Sequence, residues 1–210
     1  MNFLQLCKRL RQEVGAAGDG PAAVTGQHGE YQRLIDWVRQ AWLEIQQEQH
    51  EWRFNWAEAS IELDAGFREY SPPADLDRWD AATLRVHDRR LCETPWTIFR
   101  ERFREDSDRE WPSTITRIPN GNLRLDTSPA QLSWLTFEYW RTPQELKANI
   151  DEPRLPEQYH MVIVYRAMLA YALYENAPEV ATAAREGETK IMAEMMRREL
   201  PAVDVGGPLA

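Results

Sequence analysis

Lysine is nearly missing from this chain. Of its 25 basic residues only Lys8, Lys147 and Lys190 are Lys, and the other 22 are Arg. Cysteine is also scarce: Cys7 and Cys92 alone make no disulfide framework, which fits a reducing, intracellular origin. No run of 18 apolar residues exists, so no segment is expected to span a bilayer. The first residues, MNFLQLCKRLRQEV, carry charges every few positions and form no signal-peptide apolar region. Basic excess is absent too. Thirty-four acids against 25 bases give a net charge of -9, the wrong sign for a protein whose main task is gripping phosphates.

Aromatic side chains are plentiful. Nine Trp, seven Tyr and six Phe in 210 residues exclude a disordered chain, because they supply the apolar area that offsets ordering entropy. Trp and Arg are also the side chains most enriched at interface hot spots. Composition by itself favours the plainer reading, a Trp-rich core.

Periodicity divides the chain. Phe3, Leu6, Cys7, Leu10 and Val14 recur at helical spacing behind a capping Asn2, and Cys7 on that stripe reads as a buried thiol. Half of the ten glycines fall in residues 15–29, a loop. A second helix covers about 30–50, with Tyr31, Leu34, Ile35, Val38, Ala41, Trp42 and Ile45 in one stripe, Trp37 at its margin and Leu43 on the polar side. The middle looks β-rich. Ala59-Ile61-Leu63 and Phe67–Tyr70 flank a turn at Asp64-Ala65-Gly66 and suggest a hairpin, and Leu84-Val86 with Leu91 suggest another. Thr94 is placed to cap a short helix that opens at Pro95 and carries Trp96, Phe99 and Phe103 on one face. Ile115–Ile118 and Leu123–Leu125 flank Pro119-Asn120-Gly121-Asn122, the strongest hairpin signal. Leu132–Trp140 is so apolar that a strand buried on both faces is expected, with Trp134 and Trp140 in the core.

Helix returns after Pro143. The segment from Pro156 to about Asn176 is apolar all round, with Leu173 on its main stripe and Arg166 in the middle of it, where a carboxylate partner is required. Another helix runs from Pro178 to Pro201. The fold class is therefore α+β. N- and C-terminal helices (1–50 and 144–200) pack as a bundle, 51–143 is a central antiparallel β region of hairpins with one short helix, and 201–210 is a flexible tail.

Catalytic signatures are hard to find. Gly18-Asp19-Gly20-Pro21 superficially matches a dinucleotide fingerprint, but it follows a helix and Pro21 breaks the required turn. His50-Glu51 begins like a zinc-protease motif, with Phe54 where the second histidine belongs. No Gly-x-Ser-x-Gly elbow or Cys-x-x-Cys pair occurs, and Cys92 beside His87 reads as an ordinary pair across a short hairpin. The acidic pairs Asp75/Asp77, Asp106/Asp108 and Glu58/Glu62 are what 34 acids produce by chance. Arg85, Arg89 and Arg90, and Arg100, Arg102 and Arg104, are interleaved with acids and suggest ion-pair networks or subunit contacts rather than a nucleic-acid groove. No catalytic residue, metal ligand or cofactor site is assigned.

A longer pattern carries more information. It comprises Gly18-Asp19-Gly20-Pro21, Val24-Thr25-Gly26-Gln27, Glu30, Leu34-Ile35-Asp36-Trp37-Val38, Ala41-Trp42, Ile45-Gln46, Trp52, Gly66, Tyr70 and Phe99-Arg100. It continues through Pro119-Asn120-Gly121, Tyr139-Trp140-Arg141-Thr142-Pro143, Leu155-Pro156-Glu157-Gln158-Tyr159-His160 and Ile163-Val164-Tyr165-Arg166-Ala167. In this arrangement the chain resembles the head-to-tail adaptor (connector) proteins of tailed bacteriophages over most of residues 1–198. The resemblance implies a non-enzymatic virion structural protein at the neck, made in the host cytoplasm. Such proteins form a ring, usually of twelve copies, between the portal protein and a downstream tail or stopper protein, and double-stranded DNA passes through without specific binding. It also implies that the tail (Pro201, Val203, Val205, Leu209) docks on the portal. Trp37, Leu43, Arg100 and Arg104 are the residues left for subunit interfaces. Two other readings differ in class, a virion-associated peptidoglycan hydrolase and an unrelated soluble oligomer.

Overall fold

A computed structural model describes residues 1–104 and 110–201. In chain order its elements begin with helices α1 (Phe3–Glu13) and α2 (Gly29–Glu48), followed by strands β1 (Trp56–Leu63), β2 (Glu69–Tyr70), β3 (Leu76–Trp79), β4 (Arg85–Val86), β5 (Arg89–Arg90) and β6 (Cys92–Glu93). Then come α3 (Trp96–Arg102), β7 (Thr114–Arg117), β8 (Leu123–Leu125), β9 (Ser133–Arg141), α4 (Met161–Glu175) and α5 (Pro178–Glu199). The architecture is α+β. The chain divides into two compact units, 1–55 with 143–210 and 56–142.

The first unit is helical. Asn2 Oδ1 accepts from the Gln5 N–H at 2.9 Å while Gln5 Oε1 accepts from the Asn2 N–H at 2.8 Å, so two donors that the first turn leaves without partners are satisfied reciprocally. Every residue of the expected α2 stripe from Leu34 to Ile45 is buried, together with Phe3, Leu6, Cys7 and Leu10 of α1 and Val162, Ile163, Val164, Ala167 and Met168 of α4. Trp42, Phe54 and Trp52 pack ring to ring, and Trp52 Nε1 donates to the Ile45 carbonyl at 3.0 Å. The returning chain is fastened by an amide pair. Buried Gln46 accepts from Gln144 N–H at 2.7 Å and donates to Gln144 O at 3.0 Å. On α4 the apolar stripe stops one residue earlier than its periodicity suggests: Ala172 is buried, but Leu173 is 87% exposed. Asn176 then adopts a left-handed conformation (φ 53°) that ends the helix, and Pro178 opens α5.

The second unit contains two sheets. In one, β9 is central, with β1 antiparallel on one side and β3 and β4 on the other, and β5 extends from β4. In the other the order is β2-β8-β7-β6, and β6 runs parallel to β7. The β7–β8 hairpin forms as expected, and a β4–β5 hairpin forms too, with Arg89-Arg90 as its second strand. The β1–β2 hairpin does not: β1 pairs with β9 and β2 with β8. Gly66 does turn the chain, but the eight-residue β1 finds its matching length only in β9, whereas β2 has two residues to offer. The short helix starts one residue late, with Pro95 as the flanking residue and no side-chain cap from Thr94.

Strand β9 is not buried on both faces. Its residues alternate strictly: Ser133, Leu135, Phe137 and Tyr139 are buried, whereas Trp134 and Thr136 are exposed and Glu138 and Trp140 half-buried. Thr136 and Glu138 in the outward phase set this register, because neither polar group has a place in an apolar layer. The two Trp on the same phase follow them outward. Trp96 is likewise half-buried rather than in the core.

Candidate functional site

The best-shaped candidate is the outward face of the β1–β9 pair. Register places Trp56 opposite Trp140, Glu58 opposite Glu138, Ser60 opposite Thr136 and Glu62 opposite Trp134. Trp56 is 39% and Trp134 46% exposed. Trp56 Nε1 donates to Glu138 Oε2 at 2.9 Å, and the Arg78 guanidinium lies over the Trp140 ring at 4.7 Å from its centre. A hollow of about 660 Å³ opens here between Glu58, Ser60, Thr83, Arg85, Thr136 and Glu138. Two carboxylates facing each other across a ladder repel, so this face is not arranged for the stability of the isolated sheet. The expected burial of Trp134 and Trp140 conceals this face in the sequence. The signal was available in the polar phase of β9.

Other ionisable groups serve the fold. Arg166 meets the carboxylate demand read from its position: its guanidinium bonds Glu188 and Glu48 (2.6 Å to the latter), with Glu44 at 3.9 Å. Burial pushes the Cys7 thiol up to about 12, which keeps it protonated and inert. Cys92 is exposed, with its Sγ 3.7 Å from the Glu93 carbonyl, and the His87 ring packs edge-on against Trp111 at 4.7 Å. Buried His160 is held below its ordinary pKa chiefly by desolvation. Its Nε2 sits 2.8 Å from the Leu155 carbonyl, which can only accept, and its Nδ1 lies 2.7 Å from the Met1 amine. The neutral Nε2–H tautomer satisfies both. Asp126, fully buried, accepts from the N–H groups of Ser113 (2.9 Å) and Thr114 (3.0 Å) and from the Ser113 hydroxyl (2.7 Å). Each of these is a structural tie.

The expected interface residues are scattered. Trp37 is half-buried, its ring packed against Tyr171 and Tyr174 at 6.0 and 5.7 Å, and Leu43 is also half-buried. Arg100, on α3, and Arg104, two residues past its end, are exposed, whereas Phe99 is buried. Trp96, Phe99 and Phe103 pack together, with ring centres 6.2 and 5.0 Å apart, so the arginines are turned outward by their neighbours' burial. Pro201 is exposed, while Val203, Val205 and Leu209 lie outside the described residues, as do Asp106 and Asp108.

Among the described residues no group of three or more His, Cys, Asp or Glu is placed to hold a metal ion, and no helix is long and apolar enough to cross a membrane. No curated protein matches the chain. A family model described as SU10 adaptor protein matches it over residues 1–208.

Proposed function

Because the chain belongs to the SU10 adaptor protein family, a family of phage head-tail adaptors, we propose that it acts as a ring subunit joining the portal to the tail. The coarser role, a structural head-tail adaptor of the virion neck associated with portal and tail components, follows from the family itself. The observation that carries it is the extent of the match, which spans both compact units rather than one.

The finer reading has these parts. Copies associate head to tail, because a closed ring needs one heterologous contact repeated until it returns on itself, and the family resemblance suggests twelve of them. Pro201, Val203, Val205 and Leu209 dock the tail segment on the portal, and Trp37, Leu43, Arg100 and Arg104 contribute to contacts between subunits. The ring lengthens the DNA channel. A net charge of -9 supports a wall along which duplex DNA slides without sticking, since like charge opposes counterion-releasing contacts. A predominantly basic lumen would contradict that part.

A phage carrying an early stop codon in this gene tests the role. DNA-filled heads without attached tails, which leak their DNA, are the expected product. Normal tailed, infectious particles would refute it.

A further inference from the structure

We propose that the outward face of β1–β9 is the socket of the ring contact, and that it receives Arg100 and Arg104 of a second copy of this chain. The inference rests on the ring reading above and names the surface that reading leaves open.

Three observations carry it. First, the face combines exposed aromatic area with carboxylates, Trp56, Trp134 and Trp140 with Glu58, Glu62 and Glu138, around an open hollow. A planar guanidinium is the group that stacks on an indole and pairs with a carboxylate at once. Second, the chain already performs this chemistry at one end of the face, where Arg78 lies over Trp140. At the other end Trp134 stands opposite Glu62, and among the described residues no cation covers that ring. Glu58 and Glu138 face each other between the two ends, so an incoming cation relieves their repulsion.

Third, the complementary half lies on the same chain. Arg100 and Arg104 are exposed, and no ion pair joins either to another described residue. Arg85, which lines the hollow opposite Thr136, and Glu101, between the donors, carry the opposing charges. They favour one register of approach and disfavour others. Socket and donor on one chain are what a head-to-tail contact requires, whereas a partner of different sequence would need only one of them.

Exchange of charge tests the proposal with the full chain and purified portal particles of the same phage. E58K/E138K alone and R100E/R104E alone are expected to load at least tenfold fewer copies per portal than the unaltered chain. An equimolar mixture of the two is expected to recover to within about twofold. In the mixture each reversed socket meets a reversed donor and each original socket an original donor, so the two variants alternate around an even-numbered ring. Recovery also shows that both variants are folded. If the unaltered chain itself adds no ring to the portal, the ring reading fails. If it does, and E58K/E138K loads as well as it, the socket assignment alone is overturned. Loss in both variants without recovery on mixing also overturns it, and points to the portal or a tail component as the occupant.

Discussion

Arg166 sits at 17% side-chain exposure beside Glu188 at 12%, with Glu48 and Glu44 closing the cluster from α2. Desolvation would lower the pKa of this guanidinium, but its hydrogen bonds and ion pairs with Glu48 and Glu188 raise it. Removing the cation leaves Glu188 buried without its partner. R166M is therefore expected to destabilise by about 2–3 kcal/mol, below the range for a fully buried pair because Glu48 and Glu44 keep contact with water. Urea denaturation followed by far-UV circular dichroism measures it, and an unchanged midpoint would contradict the ion-pair account.

His160 works in the opposite sense, since the folded state favours its neutral form. Its folded pKa lies below the ordinary 6.5, so the unfolded chain takes up the proton first. Stability from this group is complete above about pH 6.5 and declines as the pH falls from there toward the folded pKa. H160Q should flatten that part of the melting-temperature profile, measured between pH 7.5 and 5. The cysteines give a simpler check. Iodoacetamide should label exposed Cys92 in the native chain and reach Cys7 only after unfolding.

Between elements, α5 packs closely on α4 at Gly187. A Cβ placed on Gly187 would meet the Tyr165 ring at 2.6–2.8 Å, so glycine lets the two helices pack face to face. Alanine would gain about 1 kcal/mol of helix propensity there and lose about 1–3 kcal/mol to overpacking. G187A is expected to be net destabilising, by about 1 kcal/mol in a denaturant titration. A gain in stability would show that the ring moves aside freely.

Local signals made most of the helices legible: Asn2 with Gln5, the α2 stripe, Asn176 and Pro178. The β7–β8 turn was equally clear because Asn-Gly names its own geometry, with Gly121 at φ +95°. Strand pairing was not. The partner of β1 lies some 70 residues away, and no local pattern encodes such a long-range choice. The same gap hid the candidate site. Trp134 and Trp140 look like core residues singly; Thr136 and Glu138 on the same phase point outward, and the pairing of Glu58 with Glu138 shows the face they make with β1. The Gln46–Gln144 tie, made between distant amides, was invisible for the same reason.

Taken whole, the chain has the parts of an assembly subunit. Its two compact units each have their own core. Arg100 and Arg104 are exposed on and just past α3, and an acidic, Trp-bearing sheet face remains open. Its family is that of the phage head-tail adaptors. Electrostatic contacts of this kind weaken as salt screens them, so loading onto the portal should fall between 0.1 and 1 M salt, where the screening length drops from about 10 to about 3 Å. The central claim is that copies of this chain close a ring on the portal and continue its channel. Electron cryomicroscopy of purified portal particles incubated with the full-length chain tests it most directly. The account predicts one additional closed ring stacked coaxially on the portal, with an open, acidic lumen. Portal particles without added density, or with isolated copies that never close a ring, would contradict it.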